Sequence, residues 1–152
     1  MNMAKYSSAE NLLPTLPCAC ASLRRAARAV TRLYDKELSG TGLELAQYTL
    51  MMALESAEEL NQAKLAGVLL LDQTTLTRTL AGLLKKGLVE ARPGEDRRER
   101  HFRLSALGRR KYKEVLPLWE KAQSRLEKTL PTRVWDQMTG LLDEVAKAAA
   151  KV

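Results

Sequence analysis

A chain of 152 residues with a formal charge of +7 is sized for one compact domain, with or without arms, and is set up for an anionic partner. Apolar residues make up 45% of it, enough for a sizeable core, while aromatics are only 5%, so Leu, Ala and Val must do the packing. Five Pro and eight Gly are too few for a turn-dense β fold, and no apolar run reaches the ~18–20 residues of a membrane span.

Where the charge sits is more informative than its total. Between Asp72 and Lys113 there are 12 Lys and Arg against 5 acids, and the remainder of the chain is balanced. A segment this focused is the footprint of a polyanion-binding module, although a solvated basic face without a partner has the same composition. The stretch Met1 to Pro17 has neither a basic n-region nor an apolar h-region, so no secretory signal is expected. Two cysteines without export features imply a cytoplasmic protein with thiols reduced at rest.

In chain order, residues 1–14 read as a flexible arm. From about Thr15 to Leu38, Leu16, Cys20, Leu23, Ala27, Val30, Tyr34 and Leu38 recur at helical spacing, and Ser39-Gly40-Thr41-Gly42 breaks the pattern. A second helix is predicted over about Glu44 to Ser56. Asn61 caps a short one, Gln62 to Leu69. Asp72 caps the next, Gln73 to Lys86, which buries Leu76, Leu80, Leu83 and Leu84 and turns Gln73, Thr74, Thr77, Arg78 and Lys85 outward until Gly87 ends it. Two short helices joined by a tight turn, the second with a polar outer face, fit a helix-turn-helix.

Leu88 to Arg92 and Arg100 to Leu104 read as the strands of a β-hairpin, with Pro93-Gly94-Glu95-Asp96 as turn residues and Arg97 and Arg98 at the tip. Ser105 can cap a long helix from Ala106, which Pro117 is expected to kink, and Pro131 separates it from a last helix, Thr132 to Lys147. The fold class is mainly α with a small β-hairpin wing. A winged helix-turn-helix over 41–105 is flanked by helical regions at 15–40 and 106–152. The outer helices carry apolar stripes too long to bury against so small a centre. A homodimer packed through them is therefore expected.

These stretches together resemble the MarR family of winged helix-turn-helix transcriptional regulators. The resemblance is carried by Gly42-Leu43, Gln47-Tyr48, Gln62-Ala63-Lys64-Leu65-Ala66 and the run Leu71 to Leu80. Gly87-Leu88-Val89-Glu90, Glu95-Asp96-Arg97-Arg98, Leu104-Ser105 and Gly108-Arg109 continue it in order. It implies a homodimer whose two recognition helices enter successive major grooves of a pseudo-palindromic duplex, with wings in the flanking minor grooves. By position, Gln73, Thr74, Thr75 and Arg78 would face the bases, joined on the helix by Thr77 and Lys85. The residue chemistry agrees: Gln can pair with adenine, Arg with guanine, and Thr with a thymine methyl or a phosphate. Thr75 and Thr77 could equally serve the helix start and its packing. Asp96 and Arg98 match the family's Asp-x-Arg wing, where the pair shapes the loop and the Arg enters the minor groove. Arg97, Arg100 and Arg103 suit phosphate contacts. Two positions depart from the pattern, Leu70 where Gly is frequent and Val68 where a polar residue is.

Two release signals are compatible with the resemblance. One branch of the family senses organic hydroperoxides through a first-helix Cys hydrogen-bonded to a Tyr, and Cys20 and Tyr34 have that spacing; Arg24 stands where that branch has a second Tyr. A Cys18–Cys20 disulfide along one helix would be geometrically poor. The other route is a small aromatic ligand in a pocket lined by Tyr48, Met51, Met52, Tyr112 and Trp119, residues that serve equally as core. Repression is the mode implied. An enzyme is not expected. The single His, His101, lies on a basic strand without a metal-ligand pattern, and no phosphate loop or nucleophile motif is present, so neither metal nor cofactor is expected. The remaining alternative is a sequence-neutral architectural DNA-binding protein, which would share the basic module without needing a base-reading Gln73 and Arg78.

Overall fold

The computed structural model describes residues 18–94, 96 and 99–150. The arm read over 1–14 lies outside them, as do Arg97 and Arg98. The element order is α1 (Ala19–Glu37), α2 (Leu45–Ala57), β1 (Leu60–Asn61), α3 (Gln62–Leu69), α4 (Gln73–Lys85), β2 (Val89–Pro93), β3 (Arg100–Leu104), α5 (Ala106–Thr129) and α6 (Thr132–Ala149). None of these helices is long and apolar enough to cross a membrane.

The helix boundaries follow from local chemistry. Gly40 and Gly42 at φ +85° and +77° separate α1 from α2, and Gly87 at φ +68° ends α4. The Asn61 side chain accepts the Lys64 N–H at 2.9 Å, the Asp72 carboxylate accepts the Thr75 N–H at 2.9 Å, and Ser105 Oγ accepts the Gly108 N–H at 2.9 Å. The starts of α3, α4 and α5 are thus capped by the residues that the sequence singles out. α5 continues as helix through Pro117.

The core lies where α2, α3, α4, α5 and the sheet converge. Leu43, Tyr48, Leu50, Met51, Leu54, Leu65, Leu76, Leu80, Leu83, Phe102, Leu104 and Val115 form one buried cluster. Each fully buried Leu contributes roughly 1.5–3 kcal/mol relative to exposure, so this cluster fixes the pose of α4. The predicted hairpin is the outer part of a three-stranded antiparallel sheet of order β1-β3-β2. β1 is the addition: Leu60 pairs with Phe102 and Asn61 with His101, tying the wing root to the start of α3. Inward Val89, Ala91, Phe102 and Leu104 alternate with the outward cross-strand pair Glu90 and Arg103.

α1 is held to α5 by a polar clasp. The Glu37 carboxylate accepts from Lys121 at 2.9 Å and from Arg125, and the Tyr34 hydroxyl donates to Gln123. Hydrogen bonds from Lys121 and Arg125 lower the Glu37 pKa. α6 has no buried residue, and Val134, Leu141, Leu142 and Val145 on it are exposed.

Leu70 closes α3 in the left-handed region, φ 49° and ψ 41°, with its side chain exposed. A branched side chain there costs about 1–2 kcal/mol, and glycine returns about 0.5–1 kcal/mol of that through its freer unfolded state. Leu70→Gly is therefore expected to raise stability by about 0.5–1 kcal/mol, read as a higher urea midpoint at unchanged slope. A lower midpoint would show that Leu70 holds the turn through contacts instead.

Candidate nucleic-acid interface

The site is organised by α4. Leu76, Leu80 and Leu83 bury one side of this helix. The opposite side presents Gln73, Thr74, Thr77, Arg78 and Ala81 along a shallow open groove. Thirteen residues make a rod of about 20 Å, and a helix fits the major groove of B-DNA, about 12 Å wide. Lys85 is exposed in the last turn, where its charge also suits the helix C-terminus.

Asp72 sets the start of this helix. Its carboxylate accepts both the Thr75 N–H at 2.9 Å and the Thr75 hydroxyl at 2.6 Å. Thr75 is therefore engaged as part of the cap, while Thr74 and Arg78 make no side-chain hydrogen bond or ion pair among the described residues. The Thr75 hydroxyl, then its N–H, hold the Asp72 pKa below the ordinary carboxylate value. With a depressed folded pKa, the charged cap contributes fully above about pH 4 and loses its contribution as pH falls through the folded value. Wild-type urea midpoints measured from about pH 6 to about pH 2.5 should fall more steeply below about pH 4 than those of Asp72→Asn. Parallel curves would mean the carboxylate charge adds nothing to the cap.

A second polar link lies at the α3–α4 corner. Gln62 Nε2 donates to Gln73 Oε1 at 3.1 Å and to Thr77 Oγ1 at 3.1 Å. Sequence reasoning assigned Gln62 no role beyond family resemblance, because a contact between residues 62 and 73 depends on how α3 crosses α4. Gln62, Gln73 and Arg100 also border one recess with Asn61, Ala63 and Glu99. The β1–β3 pairing thus brings the starts of α3 and α4 and the loop end of β3 to one face.

In the wing, the Gly94 N–H donates to the Glu99 carbonyl and the Glu99 N–H to the Asp96 carbonyl, both at 2.9 Å. Arg98 of the expected Asp96–Arg98 pair lies outside the described residues. Arg100, paired with Pro93 at the loop end of the wing strands, is exposed. Arg103 is already engaged, donating to Glu90 across the strands at 3.0 and 3.1 Å. His101 Nδ1 lies 2.9 Å from Glu59, a further tie between the wing and the α2–α3 connection.

The two sensing sites fare differently. Cys18 and Cys20 are free and exposed, whereas Tyr34 is buried against Trp119 with ring centroids 6.4 Å apart. Cys20 and Tyr34 share the continuous helix α1, so fourteen residues separate them by about 21 Å along its axis. A contact between them within one chain is excluded; only Tyr34 of a second copy could reach Cys20. Of the pocket residues, Tyr48 and Met51 are fully buried core, and the Tyr48 ring stacks on Tyr112 at 5.3 Å. Burial is the main cause of the raised Tyr48 pKa. Met52, Tyr112 and Trp119 are half-buried beside that core.

A helix-turn-helix whose second helix exposes Gln, Thr and Arg, backed by a sheet that carries a basic wing, defines a winged-helix transcription regulator. Comparison with known proteins agrees. The MarR family model matches residues 43–99, the stretch that runs from the start of α2 to the wing. The chain is 28% identical over 93 residues to YwoH of Bacillus subtilis (strain 168), an uncharacterised HTH-type transcriptional regulator, covering 61% of this chain and 68% of YwoH. It is 30% identical to the M. tuberculosis transcriptional regulator MosR, solved in complex with DNA, at a TM-score of 0.75, covering 87% of this chain and 98% of MosR. A mutant of E. coli MarR, solved with operator DNA, is 25% identical at a TM-score of 0.75, covering 83% and 91% of the two chains. The chain belongs to the MarR family, whose members are DNA-binding regulators and not enzymes.

Proposed function

We infer that this regulator reads a specific duplex sequence as a homodimer and represses transcription from a pseudo-palindromic operator. The observation that carries the reading is the face of α4: Gln73, Thr74, Thr77 and Arg78 stand outside a helix whose other side is anchored by Leu76, Leu80 and Leu83. Arg100, with Arg97 and Arg98 at the wing and Lys85 at the helix end, supplies phosphate and minor-groove contacts. The exposed apolar side chains of α6 support dimerisation through residues 15–40 and 106–152, with 41–105 as the DNA-binding region. Structures of MosR and MarR with DNA lend weight to the same partner.

For the release signal, an oxidant acting at Cys20 is favoured by the exposure of this thiol, since a reactive thiol must be accessible. An aromatic ligand would need the stacked Tyr48–Tyr112 pair to part, or would have to lodge at Met52 and Trp119 on the core's edge. Selection from a random duplex pool at ~150 mM salt tests the main reading. Half-sites about one helical turn apart, ~10 bp, support a dimeric operator reader. Binding without any enriched motif would instead establish an architectural protein. Repeating the selection with oxidised wild type and Cys20→Ser separates the two signals.

A further inference from the structure

We propose that Gln62 is a positioning residue that sets which base edge Gln73 reads. The inference rests on α4 being the recognition helix and goes beyond it by assigning the orientation of one reading group. Gln73 opens α4 and Thr77 stands one turn on, so both project on the same side of the helix. Gln62 opens α3 and meets them from the neighbouring helix, giving one amide hydrogen to Gln73 Oε1 at 3.1 Å and the other to Thr77 Oγ1 at 3.1 Å. A free Gln side chain is among the costlier ones to order. Held in this way, Gln73 meets DNA already placed over the groove.

The direction of these bonds decides the chemistry. With its oxygen turned to Gln62, Gln73 offers its Nε2 hydrogens outward. Thr77, accepting through its oxygen, keeps its own hydrogen to give. Arg78 beside them is a donor only. The corner therefore presents donors, and the base with two acceptors on its major-groove edge is guanine, through N7 and O6. This replaces the Gln–adenine pairing that the residue type alone suggests, in which the amide oxygen faces the adenine amino group.

The test compares duplex selections for wild type, Gln73→Ala, Gln62→Leu and Gln62→Glu, with thermal unfolding as a control for folding. Gln73→Ala marks the operator position that Gln73 reads. Gln62→Leu should flatten the preference at that same position by about fivefold or more, the low end of a specific base contact, while affinity for unrelated duplex changes less than about twofold. Gln62→Glu can only accept, so Gln73 must turn its amide over, and the preference at that position should move towards a base bearing an amino group. The inference is overturned if Gln62→Leu keeps the wild-type preference there, or weakens all sequences alike. It also falls if Gln62→Glu leaves the preferred base unchanged. Failure of the recognition-helix reading is a separate result: wild type itself would then enrich no motif.

Discussion

Replacing Gly108 by alanine is expected to lower the thermal midpoint by about 4–16 °C. Gly108 sits in the first turn of α5, fully enclosed, with its N–H bound to the capping Ser105. A Cβ added there would lie 1.9 Å from the Leu88 carbonyl oxygen. That atom is backbone and already accepts the Ser105 N–H at 3.0 Å, so no side-chain rotation can relieve the overlap. Overpacking of this kind costs about 1–3 kcal/mol and sometimes more, and disturbing the Leu88–Ser105 bond adds about 1 kcal/mol. At about 2–4 °C per kcal/mol for a chain of this size, the shift follows. Gly67→Ala is the matched control, since its Cβ would meet nothing within 4 Å in a helix interior, and it should stabilise by about 0.5–1 kcal/mol. A Gly108→Ala midpoint within about 2 °C of wild type, by circular dichroism, would mean that α5 does not approach Leu88 so closely.

The consequence is functional because this contact joins the wing to the rest of the fold. Leu88 leads into β2, Ser105 follows β3, and the Ser105 hydroxyl donates to the Gly87 carbonyl at 2.6 Å. One small junction thus fixes the end of α4, both wing strands and the start of α5. A chain with Gly108 replaced should therefore lose DNA affinity even while folded, because relieving the overlap displaces the junction that holds α4 and the wing.

What the sequence made legible were features written into neighbouring residues. The caps at Asn61, Asp72 and Ser105 and the glycines at 42 and 87 fixed the helix boundaries, and Leu76, Leu80 and Leu83 gave the orientation of α4. Features that depend on elements meeting in space stayed hidden. β1 is only Leu60 and Asn61, too short for any alternation to show, so the sheet looked like a hairpin. The Glu37 clasp joins residues far apart in the chain, and the Gln62 link needs the α3–α4 crossing. The Cys20–Tyr34 spacing cannot be a contact within one chain, because fourteen residues along one continuous helix mean separation. Arg103, expected as a phosphate contact, is engaged by Glu90 through a register that the sequence does not show. Spare charge therefore cannot be counted from composition alone.

That distinction selects the second large effect. Arg103 and Arg125 are engaged by Glu90 and Glu37, whereas Arg78 has no ion pair among the described residues and stands on the open face of α4. An Arg presented to the major groove reads guanine through two parallel hydrogen bonds, worth about 1–3 kcal/mol of discrimination per base pair. Arg78→Ala should therefore cut the preference for the correct base at one position of each half-site by about 5–150-fold. Affinity for unrelated duplex should fall far less. Arg78→Lys should not restore the preference, because a point charge cannot reproduce the planar fork. Lys85→Ala should behave in the opposite manner, weakening all sequences evenly and reducing the salt slope by about one. Binding titrations on the selected operator, on single-base variants of it and on an unrelated duplex, each at several salt concentrations, separate these outcomes. If Arg78→Ala weakens operator and unrelated duplex by the same factor, Arg78 is a phosphate contact, and base reading must come from Gln73, Thr74 and Thr77 alone.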